Sequence, residues 1–351
     1  MSNSYYQGQG EQHATSLQLP VINLDSQTEP QGYLATPELA AAVDTAITLG
    51  MPLLLTGEPG SGKSSLAKSI AWEVLGGNEI PLHFTIKSDT RANDLFYRFD
   101  TVGRFHASNI PDADTAAHHF IHFEAMGRAI LQAKPIAAVQ QLLKSETQVA
   151  KIHTGTQKRS VVLIDEIDKA PRDVPNDILV EIEQLCFDIP ELEARVELQP
   201  EERNYQPIVI ITSNSEKALP EAFLRRCVYH HLQFPPFADD EQAKGQVQGI
   251  TVNDIVASRL GNRYQGVSPL LDQAISWFKY LRREVHGIER KPSLAELLNW
   301  LEYLVLKDPE GKGLNAQTQQ LCNSINHLLL KNPKDQQQCK QWLEQWLASN
   351  G

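Results

Sequence analysis

The chain has 351 residues, of which 41% are hydrophobic, and a net charge of −11. This length allows two domains with substantial cores, and the acidic balance argues against a surface devoted to nucleic acid, although a local basic pore is compatible with it. No apolar run approaches the roughly 20 residues of a membrane span, and no secretory h-region is visible at the polar start. Four scattered cysteines without a C-x-x-C pair indicate reduced thiols rather than zinc or disulfides. We therefore expect a cytoplasmic protein with no membrane partner.

The order of predicted elements indicates an α/β fold. A polar segment over residues 1–30 precedes a predicted helix over residues 33–50, in which Thr36 can cap and Pro37 suits the first turn. Apolar runs predict five strands, over residues 51–56, 82–86, 160–164, 208–212 and 228–234. Because helical stretches separate them, we expect a parallel five-stranded sheet covered on both faces. Only helices are predicted beyond residue 235, so the expected domains are 1–30, 31–235 and 236–351.

The first strand runs into a phosphate-binding pattern, G-x-x-x-x-G-K-[ST]. A helix is predicted directly after it, over residues 64–74. Backbone N–H groups of such a loop point at phosphate oxygens, and the helix N-terminus adds positive potential. We expect Lys63 to reach the β- and γ-phosphates and Ser64 to ligate Mg²⁺; a Gly-rich turn that matches by chance is the alternative. The predicted nucleotide-binding residues are Gly57, Glu58, Pro59, Gly60, Ser61, Gly62, Lys63, Ser64 and Ser65.

Polar side chains follow two later strands where each strand ends. Asp165 and Glu166 come after the strand over residues 160–164, at the edge where α/β sheets bind ligands. Asp165 is positioned to hold Mg²⁺ through its water shell, and Glu166 to orient or deprotonate the attacking water. Asn214 ends the next strand and could contact both the γ-phosphate and the water. The alternatives are solvated acids and an ordinary turn-forming asparagine.

An arginine pair, Arg225 and Arg226, precedes the fifth strand. Two adjacent arginines there are usually solvated. Either of them could instead reach the γ-phosphate bound by a neighbouring subunit and stabilise the charge of the transition state.

With these elements in this order, the chain resembles the AAA+ ATPases and, within them, the MoxR-like and dynein-related branch. The resemblance covers roughly residues 31–310, and the segments 53–60, 165–171 and 219–226 carry it. It implies a P-loop NTPase αβα sandwich followed by an all-α lid domain, with ATP and Mg²⁺ as ligands. It also implies that Asn214 is sensor 1, that Arg226, or else Arg225, is a finger acting in trans, and that the chain forms a homo-oligomeric ring, usually a hexamer.

Two segments match inserts that this branch carries. Residues 95–105 predict a hairpin turning near Val102 and Gly103, the helix-2 insert near the central pore. Residues 187–208 predict the hairpin before the sensor 1 strand. Ordinary surface hairpins are the alternative for both. The sequence departs from the family in a long spacer over residues 106–159, and in Leu294, which stands where a sensor 2 arginine is expected; Arg290 or Lys291 could substitute.

The leading hypothesis is ATP hydrolysis by an oligomeric ATPase coupled to chaperone-like remodelling of a protein partner. MoxR-like ATPases commonly work with a partner that carries a von Willebrand factor A domain. One alternative is a nucleic-acid motor or a GTP-dependent restriction-type subunit, with Arg98 and Arg104 touching a strand. Another is a nucleotide-gated scaffold with little turnover, which Glu166 disfavours. ATP is preferred over GTP by the resemblance alone.

Overall fold

A computed structural model of the chain describes residues 29–76, 79–111, 114–143, 145–214, 219–240, 249–261, 267–307 and 318–350. The polar segment predicted over residues 1–30 lies, apart from its last two residues, outside this range.

All five predicted strands are confirmed, and they form one parallel sheet whose strands, from one edge to the other, begin at Leu82, Val161, Ile208, Leu53 and Val228. Four further strands form two separate antiparallel pairs. In chain order the strands are β1 (Leu53–Gly57), β2 (Leu82–Thr85), β3 (Tyr97–Phe99), β4 (Ile121–Phe123), β5 (Val161–Asp165), β6 (Cys186–Ile189), β7 (Ala194–Glu197), β8 (Ile208–Ser213) and β9 (Val228–Leu232).

Helices precede, separate and follow these strands, and the described part beyond residue 235 contains helices without strands. The α-helices are α1 (Pro37–Leu49), α2 (Lys63–Ile70), α3 (Thr101–Ser108), α4 (Ala125–Ala133), α5 (Ile136–Leu143), α6 (Glu146–Ile152), α7 (Val174–Gln184), α8 (Glu221–Leu224), α9 (Val252–Leu260), α10 (Ser268–Arg283), α11 (Leu294–Lys307), α12 (Thr318–Leu328) and α13 (Pro333–Asn350). No helix of the described residues is both long and apolar enough to cross a bilayer.

The sheet is apolar on both faces, as buried parallel strands require. Because successive side chains of a strand point to opposite faces, β5 contributes Val161 and Leu163 to one hydrophobic cluster and Val162 and Ile164 to another. The first cluster includes side chains of α1 and α2, and the second includes side chains of α4 and α7. The fold is therefore an αβα sandwich.

The spacer over residues 106–159 belongs largely to the core of the sandwich. Its helix α4 is buried along almost its whole length and packs against β2 and β5. A Cβ added to Gly127 would lie 2.0 Å from the backbone oxygen of Phe96, so only glycine permits this close approach. Much of the long spacer before β5 therefore consists of helix α4, which covers one face of the sheet, and of the two helices that follow it, α5 and α6.

The first predicted hairpin is wrong. Residues 101–108 form helix α3, because the Asp100 side chain caps it by accepting a hydrogen bond from the Gly103 N–H at 2.7 Å. The strand partner of β3 is β4, about twenty residues further on, with Arg98 opposite His122. The second predicted hairpin is confirmed, since β6 and β7 pair antiparallel.

The helices α9 to α13 pack around a third cluster, separate from the two of the sheet and centred on Trp277, Phe278 and Trp300. We call these five helices the helical lid. The capping box predicted before α11 is present: the Ser293 N–H donates to Glu296 at 2.7 Å, and the Glu296 N–H donates to the Ser293 hydroxyl at 3.3 Å. A division of the chain at residue 235 stays a prediction.

Candidate nucleotide site

A cavity of about 1130 Å³ lies where the phosphate loop, the end of β9 and the helical lid meet. The loop contributes residues 59–65 to its lining, the start of the described chain contributes residues around Tyr33, and the lid contributes Leu294 and Ala295. Asp165, Glu166 and Asn214 also line it. The carboxyl ends of the parallel strands therefore converge on one crevice, the position at which open α/β sheets bind ligands.

The phosphate loop has the conformation that its glycines permit. Gly60 and Gly62 have φ angles of 74° and 91°, which side chains with a Cβ rarely adopt. Helix α2 begins directly after Gly62, so its first N–H groups face the loop. The buried Ser61 hydroxyl has no hydrogen-bond partner among the described residues. Unpaired donors around a concave loop at a helix N-terminus fit a phosphate group.

The amino group of Lys63 is folded into this loop. It donates to the backbone oxygens of Gly57 and Glu58, at 2.9 Å each. Burial lowers the pKa of Lys63, and the carboxylates of Asp165 and Asp168 oppose that shift. Phosphate oxygens are stronger acceptors for an ammonium group than these carbonyls, so a bound triphosphate would draw Lys63 away from them.

Ser64 and Asp165 lie next to each other across the crevice. The Ser64 hydroxyl is 3.1 Å from both carboxylate oxygens of Asp165. Two neighbouring hard oxygen donors suit Mg²⁺, which usually takes one or two protein ligands and completes its shell with water and phosphate. No group of three or more His, Cys, Asp or Glu residues that could hold a metal occurs in the described ranges, so a Mg²⁺ here depends on nucleotide oxygens as well.

Thr212 connects the two acidic residues, and the sequence reasoning missed it. Its buried hydroxyl donates to Asp165 and accepts the Glu166 N–H at 3.0 Å. Glu166 has a left-handed backbone with φ of 63°, an uncommon conformation for a residue with a Cβ. The hydroxyl therefore holds Glu166 in that conformation while it orients Asp165. A threonine near the end of the otherwise apolar run 208–212 was the available signal.

The Glu166 carboxylate lies between two donors. The Asn214 amide approaches one oxygen at 3.4 Å, and the Lys169 amino group approaches the other at 2.6 Å. The backbone of Asn214 is fixed separately, because its N–H donates to Asp168 at 3.1 Å. The structure thus brings together Glu166 and Asn214, which the sequence singled out, and adds Lys169, which it did not.

Arg225 and Arg226 do not line the cavity. Arg226 lies 3.5 Å from Glu183 of α7 and is partly exposed, and Arg225 pairs with Glu221 one helical turn away. Because neither side chain reaches the crevice of its own chain, either one could contact a bound phosphate only in a second subunit.

The lid approaches the crevice without a charged side chain at the expected place. Leu294 lines the cavity, whereas Arg290 lies 3.3 Å from Glu296 of the capping box and neither it nor Lys291 is a lining residue. A different lid arginine reaches the phosphate loop: Arg282 of α10 donates to the Glu58 carboxylate at 2.9 Å.

A family model described as "ATPase family associated with various cellular activities (AAA)" matches residues 53–236, slightly more than half of the chain. A comparison with curated proteins finds no match to this chain.

Proposed function

This chain belongs to the AAA family of ATPases, and we propose that it is a MoxR-like member that hydrolyses ATP in a hexameric ring to remodel a protein partner in a chaperone-like manner. The observation that carries the hydrolytic part is the Glu166 carboxylate, held at the edge of the phosphate crevice within contact of Asn214 and joined through Thr212 to Asp165. A scaffold without turnover has no use for a carboxylate in this position.

Each residue has a proposed task. Ser64 and Asp165 would hold Mg²⁺, which supplies positive charge beside the phosphates when it is bound. Lys63 leaves its two carbonyl partners to neutralise phosphate oxygens. Asn214 orients the attacking water, and Glu166 accepts its proton. Arg226 of an adjacent subunit, or else Arg225, stabilises the transition state, which makes an oligomer part of the site.

One insert supports the branch, because the hairpin β6–β7 precedes β8 as predicted. Between β3 and β4, helix α3 carries Val102 and Phe105, which are 66% and 67% exposed. Exposed apolar side chains on such a helix suit contact with a polypeptide. The resemblance to the MoxR-like branch supports a partner with a von Willebrand factor A domain.

The nucleic-acid alternative has less support in the local contacts. Arg98 lies 3.3 Å from the Glu124 carboxylate, and the guanidinium carbon of Arg104 lies over the Phe99 ring, 5.8 Å from its centroid. Both arginines thus have local partners in the same chain.

The test is steady-state phosphate release from ATP and GTP by wild type and Glu166→Gln, with the particle mass measured in the same samples. We expect Glu166→Gln to lower release by about 10²–10⁴-fold, the contribution of a general base, while it still binds nucleotide and assembles to the mass of a ring. The exposed Glu201→Gln variant is the matched control and keeps wild-type turnover. Full turnover in Glu166→Gln would contradict the proposed chemistry, preference for GTP would favour the restriction-type alternative, and wild type that binds without turnover would favour the scaffold. The trapped ring of Glu166→Gln is also the bait for capturing the partner.

A further inference from the structure

The lid rests directly on the phosphate loop. The Ala295 N–H, at the start of α11, donates to the backbone oxygen of Gly60 at 3.2 Å. A Cβ added to Gly60 would lie 2.8 Å from the Ser293 hydroxyl. A movement of the loop at this point must therefore displace the first turn of α11, or break its contact with it.

Arg282 joins three segments at this junction. Its side chain is only 7% exposed. One end of the guanidinium donates to the Glu58 carboxylate at 2.9 Å, and the other donates to the backbone oxygen of Pro292, just before α11, at 2.5 Å. Its face covers Phe234, in the segment that leads from β9 to the lid, with 3.7 Å from the guanidinium carbon to the ring centroid. A planar guanidinium can serve two acceptors and one ring at once, which an ammonium group cannot.

Glu58 is held from both sides. Its backbone oxygen accepts a hydrogen bond from Lys63, and its carboxylate accepts one from Arg282. If a bound phosphate drew Lys63 away, the first of these bonds would be lost and Glu58 would be released on that side. The second bond would pass a shift of Glu58 to Arg282, and from there to Pro292 and the start of α11.

We propose that Arg282 is the positioning residue that transmits occupancy of the phosphate loop to the helical lid, through its charged hydrogen bond with Glu58. The inference rests on the proposed function in that nucleotide must occupy the loop. In this role Arg282 contacts the protein's own phosphate loop and not the nucleotide. Leu294 has no charge with which to contact a phosphate, and the route proposed here runs through the loop itself.

The neighbouring residue supplies a matched control. Arg283 makes a comparable pair with the Asp240 carboxylate, at 2.5 and 2.6 Å, and its guanidinium carbon lies 5.3 Å from the centroid of the Phe237 ring. It has the same charge, helix and type of partner, but its carboxylate partner lies in the segment that leads into the lid and not in the phosphate loop. Loss of lid packing in general would affect both arginines, whereas loss of transmission would affect only Arg282.

The experiment measures the lid and the nucleotide separately. Dyes on cysteines introduced at the exposed positions Ala41 and Gln338 report the distance between α1 and α13 by energy transfer, because the four native cysteines are buried. ADP and a non-hydrolysable ATP analogue are titrated into the full chain, and displacement of a fluorescent nucleotide gives their affinities.

Nucleotide changes the energy transfer of wild type by a certain amount. We expect this change to be about fivefold or more smaller in Glu58→Gln and in Arg282→Lys, a factor at the lower end of typical coupling between sites. Arg283→Lys, the same substitution at the neighbouring arginine, keeps the wild-type response. The double variant Glu58→Gln/Arg282→Lys is no worse than Arg282→Lys alone, because one interaction cannot be lost twice. Glu58→Gln is the decisive variant, since its side chain is 54% exposed and the substitution threatens folding little.

Three results would overturn the inference while leaving nucleotide binding intact. They are a full response in Glu58→Gln, equal losses in Arg282→Lys and Arg283→Lys, and a wild type that binds nucleotide without any change in energy transfer. Absence of binding to wild type is a different result, because it contradicts the proposed function as well.

Discussion

The Thr212 hydroxyl offers a direct test of how the acidic pair is held in place. Thr212→Val removes the hydroxyl and keeps the shape of the side chain, so the surrounding packing of β8 is preserved. Asp165 then loses a donor, and the Glu166 N–H loses the acceptor that sustains its left-handed backbone. We expect the variant to fold, to bind nucleotide and to hydrolyse it poorly.

The size of the effect follows from the two bonds. A hydrogen bond to a charged group contributes about 1.5–3 kcal/mol, and a partly buried N–H left without a partner costs about 1–3 kcal/mol. The added methyl group of valine recovers part of this, so the free energy of unfolding should fall by about 2–4 kcal/mol. Loss of a residue that orients a metal ligand typically lowers metal affinity or activity about 10–100-fold. We expect phosphate release to fall within that range and to need more Mg²⁺.

The assay is phosphate release as a function of Mg²⁺ concentration, with urea unfolding of the same preparations. Thr212→Ser is the control, because it retains the hydroxyl and should recover most of the activity. Wild-type turnover and Mg²⁺ dependence in Thr212→Val would refute the positioning role. Equal losses in the serine variant would assign the effect to the missing methyl group instead.

Three further predictions concern other parts of the molecule. Burial, with Asp177 and Asp188 nearby, raises the pKa of Glu181 from 4.5 to about 7. The charged form of Glu181 therefore costs no stability below about pH 4.5, and its cost grows as the pH rises to about 7. Because solvent screens part of this effect, Glu181→Gln should stabilise the fold by about 1–2 kcal/mol at pH 8 and give no gain at pH 4.5 in denaturant titrations. An equal gain at both pH values would contradict this account. When inactive Arg226→Ala chains are mixed with inactive Glu166→Gln chains, ATPase activity should partly return, because one subunit then supplies Glu166 and its neighbour supplies the finger; no recovery in mixed rings would exclude a finger across the interface. Gly60→Ala should weaken nucleotide binding by competition with a fluorescent analogue, because its Cβ would collide with Ser293 and its φ of 74° disfavours alanine; unchanged binding would show that α11 yields freely.

The sequence predicted those parts of the structure in which neighbouring residues act together. The strand β1, the phosphate loop and helix α2 follow one another within about twenty residues, so their periodicity and glycine pattern were sufficient. The two ends of α1 also depend on neighbouring residues. At its start the Thr36 hydroxyl accepts a hydrogen bond from the Leu39 N–H at 3.3 Å, and at its end Gly50 adopts a φ of 65°. Contacts within one turn of a helix can be anticipated from residue types alone.

Features that depend on distant contacts were beyond such reasoning. The partner of β3 comes only after helix α3, so its pairing was one of these. The Asp100 cap of that helix was, by contrast, a local signal that the hairpin interpretation overlooked. The bond between Arg282 and Glu58 joins residues 224 positions apart. Thr212 has a role only because β8 lies beside β5, a pairing that the strand pattern did not reveal.

The separate hydrophobic clusters of the sheet and the helical lid have a consequence for how the chain melts. Their buried side chains belong to different clusters, and the contacts named above between the lid and the phosphate loop include the hydrogen bonds of Arg282 and Ala295. Cooperative unfolding spreads through shared packing, so the two parts should denature as distinct calorimetric transitions. A nucleotide bound by both parts would raise the melting temperature of the less stable part towards that of the more stable part by mass action. Without nucleotide, the chain should therefore have two melting temperatures. These should approach a single value when nucleotide fills the crevice.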